Sequence, residues 1–201
     1  MKIIGITGPT GAGKGALCSM LTASGIPCIN ADEVYHRLLT PPSPCLDALV
    51  ERFGADILTD GGRLDRRALA SKVFALNAEE ERESLNRITH AFVRERMLTM
   101  IEDLEFSGAS AVCLDVPLLF ESGFDKMCDL TVAVLAERET RIERIISRDQ
   151  LDRDGAIARV AAQPNDDFFT SRADLTVYNN SDLSDLKEGL EQIVDRLEKL
   201  K

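Results

Sequence analysis

GITGPTGAGK, residues 5–14, follows the β-branched run Lys2-Ile3-Ile4 and carries the spacing G-x-x-x-x-G-K from Gly8 to Lys14. That spacing is the core of a P-loop, and its mechanics explain the residue types. The glycines let successive backbone N–H groups turn inward around a polyphosphate, the following helix N-terminus adds positive potential, and a lysine reaches the β- and γ-phosphates. The context is right at both ends. Residues 2–7 form an apolar strand, and 14–24 read as a helix with Leu17, Met20 and Leu21 on one face. Further apolar runs at Ile26–Ile29, Ala111–Val116, Leu130–Leu135 and Leu175–Tyr178 alternate with helical stretches such as 137–149. Alternation of this kind predicts an α/β fold with a mostly parallel sheet covered on both faces.

Between the second and third strands, from about Pro41 to Ser107, the chain is almost wholly helical, with Asp65 and Asn77 as candidate N-caps and PPSP at 41–44 as a stiff turn at its start. A crossover needs far less chain. The segment is therefore expected to be an inserted helical subdomain beside the carboxyl edge of the sheet, where ligands bind in open α/β folds.

The 201 residues suffice for one well-buried core with an insertion, and Lys and Arg total 24 against 34 acidic residues, a net charge of -10. That balance argues against a general nucleic-acid binder, although 17 of the 24 bases are Arg, whose planar fork suits phosphate. The excess acid is spread along the expected surface helices, including the stretch 182–198. The five cysteines (Cys18, Cys28, Cys45, Cys113, Cys128) show no zinc or disulfide spacing and read as reduced thiols. With no signal-peptide plan and no apolar run near the roughly 20 residues of a membrane span, a cytoplasmic location without membrane contact is expected.

Four constellations carry chemistry. The position after Lys14 should hold the Ser or Thr whose hydroxyl binds Mg²⁺ in a P-loop, yet Gly15 and Ala16 follow. Mg²⁺ held by phosphate oxygens and waters, with lower affinity or rate, is the expected consequence. Asn30-Ala31-Asp32 ends the second strand; Asp32 either accepts the proton of an acceptor hydroxyl or caps the next helix. In Asp115-Val116-Pro117-Leu118-Leu119-Phe120-Glu121, Asp115 resembles a Walker B carboxylate that holds Mg²⁺ through water, or is a strand-end acid. Leu118, Leu119 and Phe120 read as packing, with Leu118 also a candidate on the substrate side. Finally, Arg141, Arg144 and Arg148 fall at i, i+3 and i+7, so one helical face can present guanidiniums to phosphates as a lid does, or can be a salt-bridged surface. His36 and His90 have no partner at metal spacing and are either structural or near the acceptor.

Taken in order, GITGPTGAGK, INAD, FGADIL with DGGRLDRRAL, LNRITH, VPLLFE, RIERIISRD, RVAAQ and ADLTVYNN resemble the dephospho-coenzyme A kinases, from Ile3 to about Val194. The resemblance implies a P-loop kinase fold, a five-stranded parallel sheet flanked by helices with an inserted helical coenzyme-binding domain and a lid. The corresponding division is a core of 1–40, 108–136 and 174–201, an insertion of about 41–107 and a lid of about 137–173. It further implies ATP contacts from Gly8, Pro9, Thr10, Gly11, Ala12, Gly13, Lys14, Gly15, Ala16, Arg144 and Arg148, with Asn179 on the adenine side. Asp32, Lys14 and Arg144 would be catalytic; Asp32, His36, His90 and Leu118 would face the substrate; Mg²⁺ would accompany ATP. The implied reaction moves the γ-phosphoryl group of ATP to the 3'-hydroxyl of dephospho-coenzyme A, in a monomer or weak homo-oligomer.

The chain departs from the family pattern at Gly15-Ala16, at Asn30 where an aspartate is usual, and at His90-Ala91 in place of His-Pro. Two other readings compete. A nucleoside monophosphate kinase would carry D-G-[FY]-P-R after its third strand, where this chain has DVPLLFESGF. A non-catalytic P-loop protein would explain Gly15 and Ala16 but would not need Asp32 together with the arginines.

Overall fold

The computed structural model describes residues 1–181 and 183–200; Asp182, in the acidic C-terminal stretch, and Lys201 lie outside the described residues. Five strands, β1 (Lys2–Thr7), β2 (Cys28–Asn30), β3 (Ala111–Asp115), β4 (Leu130–Leu135) and β5 (Leu175–Tyr178), form one sheet in the order β2-β3-β1-β4-β5. All pairings are parallel. Every residue of β3 and β4 is buried, as expected of strands covered on both faces. The register sets Ile6 and Asn30 each beside Asp115, so β1, β2 and β3 end at one level and the loop after β1 emerges beside Asp115.

Helix α1 (Lys14–Ala23) and the C-terminal helix α9 (Leu183–Lys199) cover one face. Leu17 and Leu21 of α1 and Leu186 and Ile193 of α9 pack on Ile4, Ile6, Val132 and Val134. Gly189 is what lets α9 approach: a Cβ there would stand 2.4 Å from Val177 Cγ1. Strand β2 begins two residues later than the apolar run predicts. Ile26 donates its N–H to Leu21 O at 3.0 Å and Gly25 adopts φ 88°, so these two residues close α1 in a Schellman motif and are not free to pair in the sheet.

Two compact units divide the chain, one of residues 1–30 with the chain from 104 onward, the other of Ala31–Asp103. The second unit is helical and takes in α2 (Ala31–Leu38), which falls within the expected core of 1–40, then α3 (Pro44–Phe53), α4 (Arg66–Val73) and most of α5 (Glu79–Phe106). Leu39, Cys45, Leu49, Phe53, Ile57, Leu69 and Val73 form its core. Its helix starts are locally encoded. Ser43 accepts from Leu46 N, and Asp65 accepts from Arg67 N at 2.9 Å and Ala68 N at 3.1 Å. Asn77 differs from expectation: it sits two residues before α5 with φ 65°, a left-handed turn that Asn tolerates, and is not the cap.

Within the first unit, 137–173 holds α6 (Arg138–Asp149), α7 (Arg153–Ala161) and α8 (Asp166–Thr170). Ile142, Ile145, Ala156 and Val160 give α6 and α7 a small core of their own. Among the described residues no helix is long and apolar enough to cross a membrane.

Candidate active site

The loop 8–13 has the backbone its sequence requires. Gly8, Gly11 and Gly13 have φ of 135°, 78° and 106°, a region that side chains disfavour. Space excludes them as well: a Cβ would come within 2.1 Å of Val134 O at Gly8, 2.7 Å of Arg141 O at Gly11 and 2.1 Å of Asn179 Nδ2 at Gly13. Lys14 folds back over the loop, its Nζ donating to Gly8 O at 2.6 Å and Pro9 O at 3.2 Å. These carbonyl contacts are what a phosphate oxygen would displace.

One face of α6 grips the same loop. Arg141, only 5% exposed, donates Nε to Thr10 O at 3.0 Å and Nη2 to Gln163 Oε1 at 3.1 Å, and Gln163 Oε1 also accepts from Thr10 N at 2.7 Å. Burial pulls the Arg141 guanidinium below the usual arginine range, with Asp166 opposing. Arg144 Nη1 donates to Asn179 O at 3.0 Å, with longer contacts to Gly11 O and Ala12 O at 3.4 and 3.5 Å. Arg148, exposed, reaches Thr10 Oγ1 at 3.2 Å and pairs with Asp149 at 2.7 Å, which raises the arginine and holds the Asp149 carboxyl below its ordinary range. By contrast Arg153 pairs with Glu139 and Arg159 with Asp149. The arginines thus divide between a loop-facing set on α6, of which Arg148 is also ion-paired, and a salt-bridged set on α7, both of which the charge pattern allowed.

Asn179 is 4% exposed, and its Nδ2 donates to Ala12 O at 2.7 Å while its Oδ1 accepts from Arg144 at 3.4 Å. This amide bonds the loop; the adenine-side contact the resemblance implied is a separate expectation. Removing it strands a buried carbonyl, so Asn179→Ala is expected to lower unfolding free energy by about 1–3 kcal/mol, measured by denaturant titration. Gln163 was not singled out from the sequence; it lies in the quoted RVAAQ, but nothing local shows that it reaches Thr10.

At the sheet edge, Asp115 is 6% exposed and its Oδ2 accepts from Asn30 Nδ2 at 2.8 Å. Thr7, fully buried, donates Oγ1 to Pro117 O at 3.0 Å and ties β1 to the turn after β3. The Asp115 carboxylate is a hard-oxygen donor of the kind that suits Mg²⁺, which it would hold through water. Gly15 supplies no hydroxyl, but a Cβ there meets no heavy atom within 4 Å. Gly15→Ser is therefore expected to fold normally and to lower the Mg²⁺ concentration for half-maximal activity; an unchanged metal titration would show that the missing hydroxyl is immaterial. Leu118 corrects the packing reading, being 52% exposed while Leu119 is fully buried.

In the helical unit, Asp32 is exposed in the first turn of α2, inside the helix and not at its cap. His36, one turn on, has Nδ1 3.0 Å from Arg66 Nη2, and both line a cleft of about 350 Å³ with Leu39, Thr40, Arg63 and Leu64. His90 is exposed on α5 and is not among the residues of that cleft.

A five-stranded parallel sheet of order 2-3-1-4-5, a glycine loop closed by Lys14 and a helix face of arginines on that loop define a P-loop kinase. A family model described as Dephospho-CoA kinase matches residues 2–185. The chain is 37% identical over 194 residues to the dephospho-CoA kinase of Corynebacterium glutamicum, covering 96% of each. Its structure is similar to TT1252 from Thermus thermophilus, with TM-score 0.82, 32% identity and coverage of 98% of this chain and 97% of that one. A dephospho-CoA kinase structure from Campylobacter jejuni shares the fold at TM-score 0.70 and 24% identity over 99% of this chain and 98% of its own. The chain belongs to the dephospho-CoA kinase family.

Proposed function

We propose that this protein transfers the γ-phosphoryl group of ATP to the ribose 3'-hydroxyl of dephospho-coenzyme A, giving coenzyme A and ADP. The observation that carries the reading is the convergence of Lys14, Arg144 and Arg148 on the loop 8–13 in a chain of this family. Phosphoryl transfer asks little covalent chemistry of a protein; positioning and charge stabilisation supply the rate.

Each residue has a role in that scheme. The loop amides cradle the polyphosphate. Lys14 exchanges the carbonyls of Gly8 and Pro9 for phosphate oxygens, as does Arg144 with its longer contacts to Gly11 and Ala12. Arg148, itself exposed, exchanges its pairing with Asp149 for the transferring group, with 137–173 acting as the lid. Arg141 and Asn179 are positioning residues, because their donors are committed to the loop. Asp32 orients the 3'-hydroxyl and accepts its proton, while the cationic cleft of Arg63, Arg66 and His36 receives an anionic part of the coenzyme. Asp115 would hold Mg²⁺ through water, and the bound ion would neutralise charge on the phosphate oxygens.

The test is identification of the product. With ATP, Mg²⁺ and dephospho-coenzyme A, phosphorus NMR and mass spectrometry are expected to show a new phosphate on the ribose 3'-oxygen and stoichiometric ADP. Phosphate placed elsewhere, or ATP turnover with no modified acceptor, would overturn the assignment. The monophosphate-kinase reading lacks support in DVPLLFESGF, residues 115–124.

A further inference from the structure

Three sulfurs meet in the core under the helix that follows the P-loop. Cys18 lies on α1 one turn beyond Lys14, Cys28 on β2 and Cys113 on β3, and Cys28 and Cys113 are register partners. Cys28 Sγ is 3.5 Å from Cys113 Sγ, and Cys18 Sγ is 3.8 Å from it. All three sulfurs lie within 4.8 Å of one another. Cys18 and Cys113 are 6% and 0% exposed, whereas Cys28 is half-buried, so the cluster is enclosed with one side nearer solvent.

This spacing is that of ligands around one ion. At a metal–sulfur bond of about 2.3 Å, three thiolates on a single centre stand roughly 3.8–4.0 Å apart. The two contacts to Cys113 lie within about half an ångström of that, and the Cys18–Cys28 pair lies within 4.8 Å. The composition of the cluster then selects the metal. Sulfur-only donors favour soft cations, and a closed structural zinc site uses four protein ligands; the group found among the described residues has three members, all cysteines. We propose that Cys18, Cys28 and Cys113 form a binding site for one soft monovalent cation, Cu(I), distinct from the Mg²⁺–ATP site.

The other two cysteines provide the control. Burial pushes the Cys45 thiol up and the Cys128 thiol up to about 12, and neither belongs to the cluster. An ion at the site would tie α1 to the strands that carry Asn30 and Asp115, each two residues beyond a ligand.

The experiment uses the full chain, reduced and anaerobic, titrated with Cu(I) against a chromophoric chelator, with X-ray absorption on the loaded protein. One equivalent per chain and a shell of three sulfurs are expected. Cys28→Ser, at the half-buried position, should fold as judged by circular dichroism yet lose the third sulfur and bind at least about tenfold more weakly. Cys113→Ala tests the buried member in the same way, and a Cys45→Ser, Cys128→Ser double variant should bind as the parent does. The proposal fails if the parent takes up no Cu(I) against the chelator, if the folded Cys28→Ser variant binds equally well, or if the double variant abolishes binding. It also fails if Zn(II) outcompetes Cu(I) with oxygen or nitrogen in its shell.

Discussion

Asp32→Asn is expected to lower kcat by about 10²- to 10⁴-fold, the range over which a positioned general base contributes, while ATP binds as before. Asp32 is exposed in the first turn of α2, two residues beyond Asn30 at the end of β2, so the substitution disturbs no buried contact. Asparagine keeps the shape and can still accept one hydrogen bond, but it cannot take the hydroxyl proton. Steady-state kinetics with dephospho-coenzyme A, set beside an independent nucleotide titration, separates the two effects. A variant with full turnover would remove Asp32 from the chemistry.

Lys14→Met should behave differently. Its ammonium is the charge nearest the loop carbonyls of Gly8 and Pro9, at 2.6 and 3.2 Å, and it is placed to meet charge that grows on the phosphoryl oxygens. Loss of one preorganised donor of this kind costs about 10²- to 10³-fold in rate, or about 3–4 kcal/mol. Because the lysine also binds ground-state phosphates, KM for ATP should rise together with the fall in kcat. The pair is diagnostic: Asp32→Asn alters turnover alone, Lys14→Met alters both. A Lys14→Met protein with unchanged kcat would contradict the role given to the loop.

What could be read from the sequence follows the range of the forces involved. The P-loop was legible because its glycines answer to backbone geometry a few residues away, as the positive φ of Gly8, Gly11 and Gly13 bears out. The caps were legible where a side chain meets its own helix, as at Asp65, and not at Asn77, which took a left-handed turn. Strand β2 was displaced because Gly25 and Ile26 serve the end of α1, a competition between two local motifs that apolar patterning cannot weigh. Leu118 looked like its buried neighbour Leu119, since the turn after β3 presents successive residues to opposite environments.

The site was legible as a set of residue types and not as a set of partners. The i, i+3, i+7 spacing of Arg141, Arg144 and Arg148 marks a common face, yet nothing in it says that the face meets residues 8–13. Asn179 and Gln163 lie 167 and 153 positions from the loop atoms they bond. Those contacts come from the sheet order, which sets β4 beside β1 and β5 beside β4 and so carries the end of β5 and the helices after β4 to the loop after β1. The thiol cluster has the same origin: Cys18, Cys28 and Cys113 have no metal spacing in the chain and become neighbours through the β2–β3 register and the packing of α1.

The acceptor is identified most directly by comparing kcat/KM for ADP release with dephospho-coenzyme A, AMP, CMP and UMP, under one concentration of ATP and Mg²⁺. Turnover with dephospho-coenzyme A and none above background with the monophosphates is the predicted result; turnover confined to a monophosphate, or to no acceptor at all, would contradict it.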